Sequence, residues 1–149
     1  MSEIPDGFDV EYQLIKFVRR VRIGSMNTID EIHPRLDYGS YLFFIAICDA
    51  QRGIRGSELA ERLRVHKSTA SRAIATLSSL GLIDRIPDPD DGRAQLLVPD
   101  ADARERFVRH RAMRRERLTH LLEGWSHQDL QHLASMLERI NDAAERAEL

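Results

Sequence analysis

The stretch HKSTASRAIATLSSLGLIDR, from His66 to Arg85, carries the side chains best suited to surface chemistry. At helical spacing Lys67, Ser68, Ser71, Arg72 and Thr76 share one side with Ala75, and Thr69 lies at its edge. These are small hydrogen-bond donors accompanied by two cations. A helix faced in this way can enter a DNA major groove about 12 Å wide and donate to phosphates or base edges. Arg72, one turn into the helix, can donate twice to guanine O6 and N7, worth roughly 1–3 kcal/mol of discrimination between bases. Lys67, Ser68 and Thr69 stand at the helix start, where free backbone N–H groups already favour a phosphate. Ser68 serves equally well as a helix cap, and His66 as either a poor cap or a phosphate contact.

A second set of candidates follows in DPDDGRAQ. Arg93, on a projecting turn, can insert into a narrow minor groove, whose negative potential attracts it. Asp91, two residues earlier, is placed to brace that guanidinium. Asp88 and Asp90 read as turn residues. An acidic turn beside phosphates is repelled unless at least one of its carboxylates is paired.

Positioning these residues takes a particular order of elements. Ala70, Ala73, Ile74, Leu77 and Leu80 form an apolar stripe opposite the polar face and should pack on the two preceding helices. GSELAERL reads as a short helix capped by Gly56 or Ser57, with Glu58 at the positive end of its dipole. A brief turn through Arg64 and Val65 leads into the next helix, which makes the pair a helix-turn-helix. After Gly81, LIDRIP and AQLLV flank a Pro/Asp/Gly turn as a β-hairpin, a wing.

Ahead of this lobe, a helix from about Asp9 to Met26 carries Val10, Leu14, Phe17, Val18 and Val21 at helical spacing, and Pro34 interrupts its continuation. An apolar helix follows from about Tyr38 to Ala50. Behind the lobe, Asp100 caps a helix running to about Leu122. Ser126, with Asp129 close to a capping box, opens the last helix, striped by Leu130, Leu133, Met136, Leu137 and Ile140. The first, fifth and sixth helices are too long to bury their stripes within one small domain, so a second copy is expected to cover them.

The 149 residues carry a net charge of −2, yet positions 52–85 hold seven positive and three negative side chains. A basic segment inside an acidic chain is the pattern of one face meeting a polyanion. With 42% apolar and 31% charged residues, the composition suits a globular domain and is too apolar for disorder. No apolar run approaches the ~18 residues of a spanning helix, and the acidic N-terminus is unlike a signal peptide. A cytoplasmic protein with no membrane partner is therefore expected. Cys48, the single cysteine, lies in an apolar helix without a neighbouring cation and is expected to be inert. His33, His66, His110, His120, His127 and His132 form no tight ligand set, so neither a metal nor a cofactor is expected. No Gly-rich phosphate loop, nucleophile elbow or carboxylate pair points to an enzyme.

In order and spacing, SELAERLRVHKSTASRAIATLSSLGLIDR, DPDDGRA and LEGWSHQDLQHLASMLERI resemble the MarR family of winged helix-turn-helix regulators. The resemblance covers nearly the whole chain. Asp91 and Arg93 match the Asp-x-Arg signature of the family's wing, while Val98-Pro99 stands where the family usually has Leu-Thr. It implies a mainly α fold, a single domain over 1–149 with a winged lobe over 38–99 and dimerisation helices over 8–30 and 100–147. It implies a homodimer that sets two recognition helices on a pseudo-palindrome of double-stranded DNA, with half-sites about one helical turn, ~34–36 Å, apart. Such regulators mostly repress, and many release DNA when a small, often aromatic, effector binds. The family's effector pocket lies near His33, Arg35, Tyr38, Tyr41 and Phe44, residues that serve equally as core. Two other functions stay open at this point: a winged helix that binds a protein without specific DNA binding, and a regulator whose Cys48 senses oxidants.

Overall fold

The structure, a computed structural model, describes residues 9–147. Phe8, where the expected N-terminal dimerisation segment begins, lies outside them. The fold is mainly helical: α1 Val10–Ile32, α2 Tyr38–Asp49, α3 Gly56–Arg62, α4 Lys67–Ser79, β1 Ile83–Pro87, β2 Gln95–Pro99, α5 Ala101–Leu121 and α6 His127–Arg146. The described chain divides into two compact units, one ending at His110 and one beginning at Arg111.

α1 runs further than its sequence suggests. Pro34 restricts only the residue before it, so His33 turns extended (φ −163°, ψ 129°) and the helix continues to Ile32. Its start is capped by Asp9, whose carboxylate accepts from the Tyr12 N–H at 2.8 Å. Burial is confined to its C-terminal end, through Ser25, Ile29 and Ile32. The stripe of Val10, Leu14, Phe17, Val18 and Val21 is exposed within the chain.

α2 is apolar nearly all round and therefore central. Asp37 caps it, accepting from the Ser40 N–H at 2.8 Å and its hydroxyl at 2.7 Å. Around Phe44 and Ile47 pack Leu59 and Ala60 of α3, Ala70, Ala73, Ile74 and Leu77 of α4, and Leu97 of β2. Phe107 of α5 meets Phe44 edge-on, with ring centroids 5.8 Å apart and planes at 79°. The start of α5, capped by Asp100 through the Ala103 N–H at 3.0 Å, is thereby part of this core.

Two glycines set the wing. Gly81 ends α4 with φ +67°, and the Leu82 N–H bonds back to the Leu77 carbonyl at 3.0 Å, which turns the chain directly into β1. β1 and β2 pair antiparallel, Ile83 opposite Pro99 and Pro87 opposite Gln95. Ile54 adds a bridge to Leu97 through N–H···O bonds of 3.1 and 2.9 Å. Gly53 permits that approach. Its φ is +85°, and a Cβ there would lie 2.9 Å from Val98 Cγ1 and 3.1 Å from the Leu97 carbonyl oxygen.

In the second unit, α6 begins as its sequence predicts. The Asp129 N–H donates to Ser126 Oγ at 3.1 Å, and the Ser126 hydroxyl donates to the Asp129 carboxylate at 2.6 Å. No residue of α6 is buried within the chain. Among the described residues no helix is long and apolar enough to cross a membrane.

Candidate nucleic-acid interface

The turn between α3 and α4 is built on a residue that helix ends normally assign to glycine. Arg64 takes φ +51°, and the Val65 N–H reaches back to the Ala60 carbonyl at 3.0 Å. The start of α3 corrects the sequence expectation. Neither Gly56 nor Ser57 caps it; the cap position is Arg55, whose backbone N–H donates to the Glu58 carboxylate at 3.2 Å. Glu58, reaching back from the third helical position, moves the boundary one residue earlier.

α4 presents the face that its spacing predicts. Lys67, Ser68, Thr69, Ser71 and Arg72 are exposed and Thr76 is half-buried, while Ala70, Ala73, Ile74 and Leu77 are buried on the other side. His66 is the N-cap residue and makes no side-chain cap bond, and Ser68 lies inside the first turn, so neither side chain caps the helix. Among the described residues Lys67, Arg72 and Arg93 stand outside every ion pair.

The wing differs from expectation in what braces it. Asp91 accepts the backbone N–H of Arg93 at 3.2 Å and does not hold its guanidinium. Its other oxygen lies 3.7 Å from Arg55 Nη2. Asp88, taken from sequence as a plain turn residue, is only 6% exposed and is the main partner of Arg55, with Nε at 2.7 Å and Nη2 at 2.5 Å from Oδ2. Asp88 Oδ1 accepts the Asp90 N–H at 2.9 Å. That backbone donor first, and the Arg55 guanidinium second, hold the Asp88 carboxyl below its ordinary range. A carboxylate so placed favours the ionised form because both oxygens already receive hydrogen bonds. Sequence reasoning missed Arg55, which lies 33 residues from its partner. The only signal was an acidic turn needing a cation that its own Arg93 does not supply.

The residues expected near an effector are divided. His33 is half-buried and its Nδ1 accepts the Arg35 N–H at 3.1 Å, with Arg35 exposed. Tyr38, half-buried, has the Arg22 guanidinium 5.0 Å from its ring centre and the Tyr41 ring 6.4 Å away. Tyr41 is buried, and Phe44 belongs wholly to the core against Phe107. Cys48 is half-buried on α2. Among the described residues no three His, Cys, Asp or Glu side chains converge on a metal-sized site.

Known proteins agree with this architecture. A profile of the MarR family matches residues 39–94. The HTH-type transcriptional regulator YxaD of Bacillus subtilis is 31% identical over 134 residues, which span 90% of this chain and 92% of that protein. A MarR protein from Peptoclostridium difficile superposes with a TM-score of 0.72 at 23% identity, covering 99% of this chain and 95% of the other. A MarR family regulator from Listeria monocytogenes, solved with a 26mer DNA, has a TM-score of 0.67 at 22% identity over 97% of this chain and 90% of its own. With its winged helix-turn-helix and a relative of this identity along nearly its full length, the chain belongs to the MarR family and is a transcriptional regulator, not an enzyme.

Proposed function

We propose that this regulator binds a pseudo-palindromic operator as a homodimer and represses by occupying promoter DNA. The observation that carries the proposal is α4: an exposed face of small hydroxyls around Arg72, whose guanidinium no acidic side chain occupies, anchored from behind by a buried apolar stripe. His66, Lys67, Ser68, Thr69, Ser71 and Thr76 contact phosphates or base edges around it, and Arg93 reaches the flanking minor groove from the wing. Asp91 acts indirectly, by receiving the backbone N–H of Arg93. The DNA-bound Listeria regulator shares this fold and supports the reading. The winged lobe occupies residues 38–99. The helices on either side of it supply the dimer contact, a role supported by α6, which buries nothing in its own chain.

A small, aromatic or anionic effector is the second half of the proposal. Its support is the cluster of His33, Arg35, Tyr38 and Tyr41 where α1 meets α2, with a guanidinium already stacked on the Tyr38 ring. Phe44 contributes there only as packing.

The test is titration against the chain's own upstream promoter DNA at two salt concentrations, with random DNA as competitor. Specific binding should weaken steeply with salt, by about one released counterion per phosphate contact. Arg72→Ala should lose roughly 10- to 100-fold on the operator while leaving random DNA almost unchanged, and Lys67→Ala should weaken both alike. Undiminished discrimination in Arg72→Ala refutes its base-reading role. Absence of any DNA binding by the ligand-free chain points instead to a winged helix used on protein partners.

A further inference from the structure

We propose that Arg55 is the positioning residue of the wing: held on Asp88 and Asp91, its guanidinium locks the wing turn to the start of the helix-turn-helix, so that Arg93 meets DNA in a fixed direction. This rests on the reading of Arg93 as a DNA contact.

Arg55 is joined to three elements at once. The preceding residue, Ile54, is bridged to Leu97 of β2 in both directions. Its own backbone N–H is tied to Glu58 of α3. Its side chain spans to the far end of the hairpin, where Nε and Nη2 converge on Asp88 and Nη2 faces Asp91. These two acids are also the nodes of the turn itself. The Asp88 N–H bonds to the Ala94 carbonyl (3.0 Å), the Asp91 N–H to the Asp88 carbonyl (3.3 Å) and the Ala94 N–H to the Asp91 carbonyl (2.8 Å). The Asp90 and Arg93 N–H groups are received by the Asp88 and Asp91 carboxylates. One guanidinium therefore rests on both residues that shape the turn. Arg93 emerges directly after them, and its own side chain is left unbraced.

The same contact settles a charge problem. A turn with Asp88, Asp90 and Asp91 beside Arg93 is net negative and is repelled by phosphates. Arg55, supplied from outside the turn, neutralises its most buried acid. Without it the wing is both looser and more repelled by DNA.

The test uses the full chain with Cys48→Ser and a nitroxide label on Gly92→Cys, a position where a Cβ meets nothing within 4 Å. Arg55→Gln should sharpen the label's spectrum in the free protein, and Arg55→Lys should restore part of the broadening. Operator affinity should fall about tenfold in Arg55→Gln, but by less than about twofold when Arg93→Ala is already present, since coupled residues are not additive. Asp88→Asn should sharpen the label's spectrum as Arg55→Gln does, and melting curves of all variants confirm folding. An unchanged label in Arg55→Gln overturns the brace. Equal affinity losses with and without Arg93 also overturn it, because Arg55 is then a direct phosphate contact. A loosened wing together with no effect of Arg93→Ala on the operator refutes the wing's DNA role itself, and the proposal with it.

Discussion

Replacing Leu137 and Ile140 with glutamate should separate the proposed homodimer while leaving the winged lobe folded. In the single chain these side chains keep 42% and 44% of their surface exposed, and Met136 beside them keeps 51%. Full burial of a leucine or isoleucine stabilises by roughly 1.5–3 kcal/mol, so covering the exposed share contributes about 1 kcal/mol per side chain. Two positions in two copies give about 4 kcal/mol, or roughly a thousandfold in the dimer dissociation constant. Four carboxylates placed in the apolar seam add a desolvation cost on top. Sedimentation equilibrium over a wide concentration range measures the constant directly. Circular dichroism supplies a second readout. A helix of about 20 residues with nothing to pack on is marginal in water, so loss of the dimer should also lower the helix signal. A variant whose dissociation constant stays within tenfold of the parent refutes the assignment of this stripe to a second copy.

Arg64→Gly should raise stability. Relief of a left-handed non-glycine residue is worth about 1–2 kcal/mol, offset in part by glycine's extra unfolded-state freedom, for a net gain of about 0.5–1 kcal/mol by chemical denaturation. A loss of more than 1 kcal/mol refutes the strain at the turn. Asp37→Ala should cost about 1 kcal/mol at pH 7, the worth of an N-cap. The Ser40 hydroxyl and then its backbone N–H lower the Asp37 pKa in the folded chain. That stabilisation is complete above the unfolded carboxylate value and is lost as pH falls through the lowered folded one, so the gap between parent and variant melting curves should narrow steadily on acidification. A gap that stays constant with pH shows that the charge is irrelevant to the cap. Cys48→Ser should leave the peroxide response of operator binding unchanged; loss of a response present in the parent would reveal a redox switch.

The winged lobe was legible because its signals are local. The stripe of α4, the glycine that ends it, the Pro/Asp/Gly turn and the caps of α5 and α6 are each decided within a few residues. Where a decision depended on distant residues, spacing could not supply it. The periodicity of α1 shows that Val10, Leu14, Phe17, Val18 and Val21 share a face, but it does not say who covers that face. In the structure Ile29 and Ile32 take the chain's own core and the stripe stays exposed. The pairing of Arg55 with Asp88 is the same case in electrostatics. Local reasoning assigned the brace to the nearest acid–base pair, Asp91 and Arg93, because proximity in sequence was the only geometry it had.

That pairing also changes how the basic segment works. Positions 52–85 look strongly cationic, but the turn that follows adds Asp88, Asp90 and Asp91 against Arg93 alone. Folding returns one of those acids to Arg55, so a cation of the segment is neutralised before any DNA arrives. The remaining excess is small, and with a net charge of −2 the chain as a whole adds no attraction to a polyanion. On the proposed reading, affinity comes from directed donors: a guanidinium in the middle of α4, the small hydroxyls of the same face, and Arg93 on the wing. Directed donors lose their partners at the wrong sequence, whereas bulk charge does not. On that reading the scarcity of free cations on this face is itself a source of specificity, because it lowers the sequence-independent part of binding against which the operator must compete.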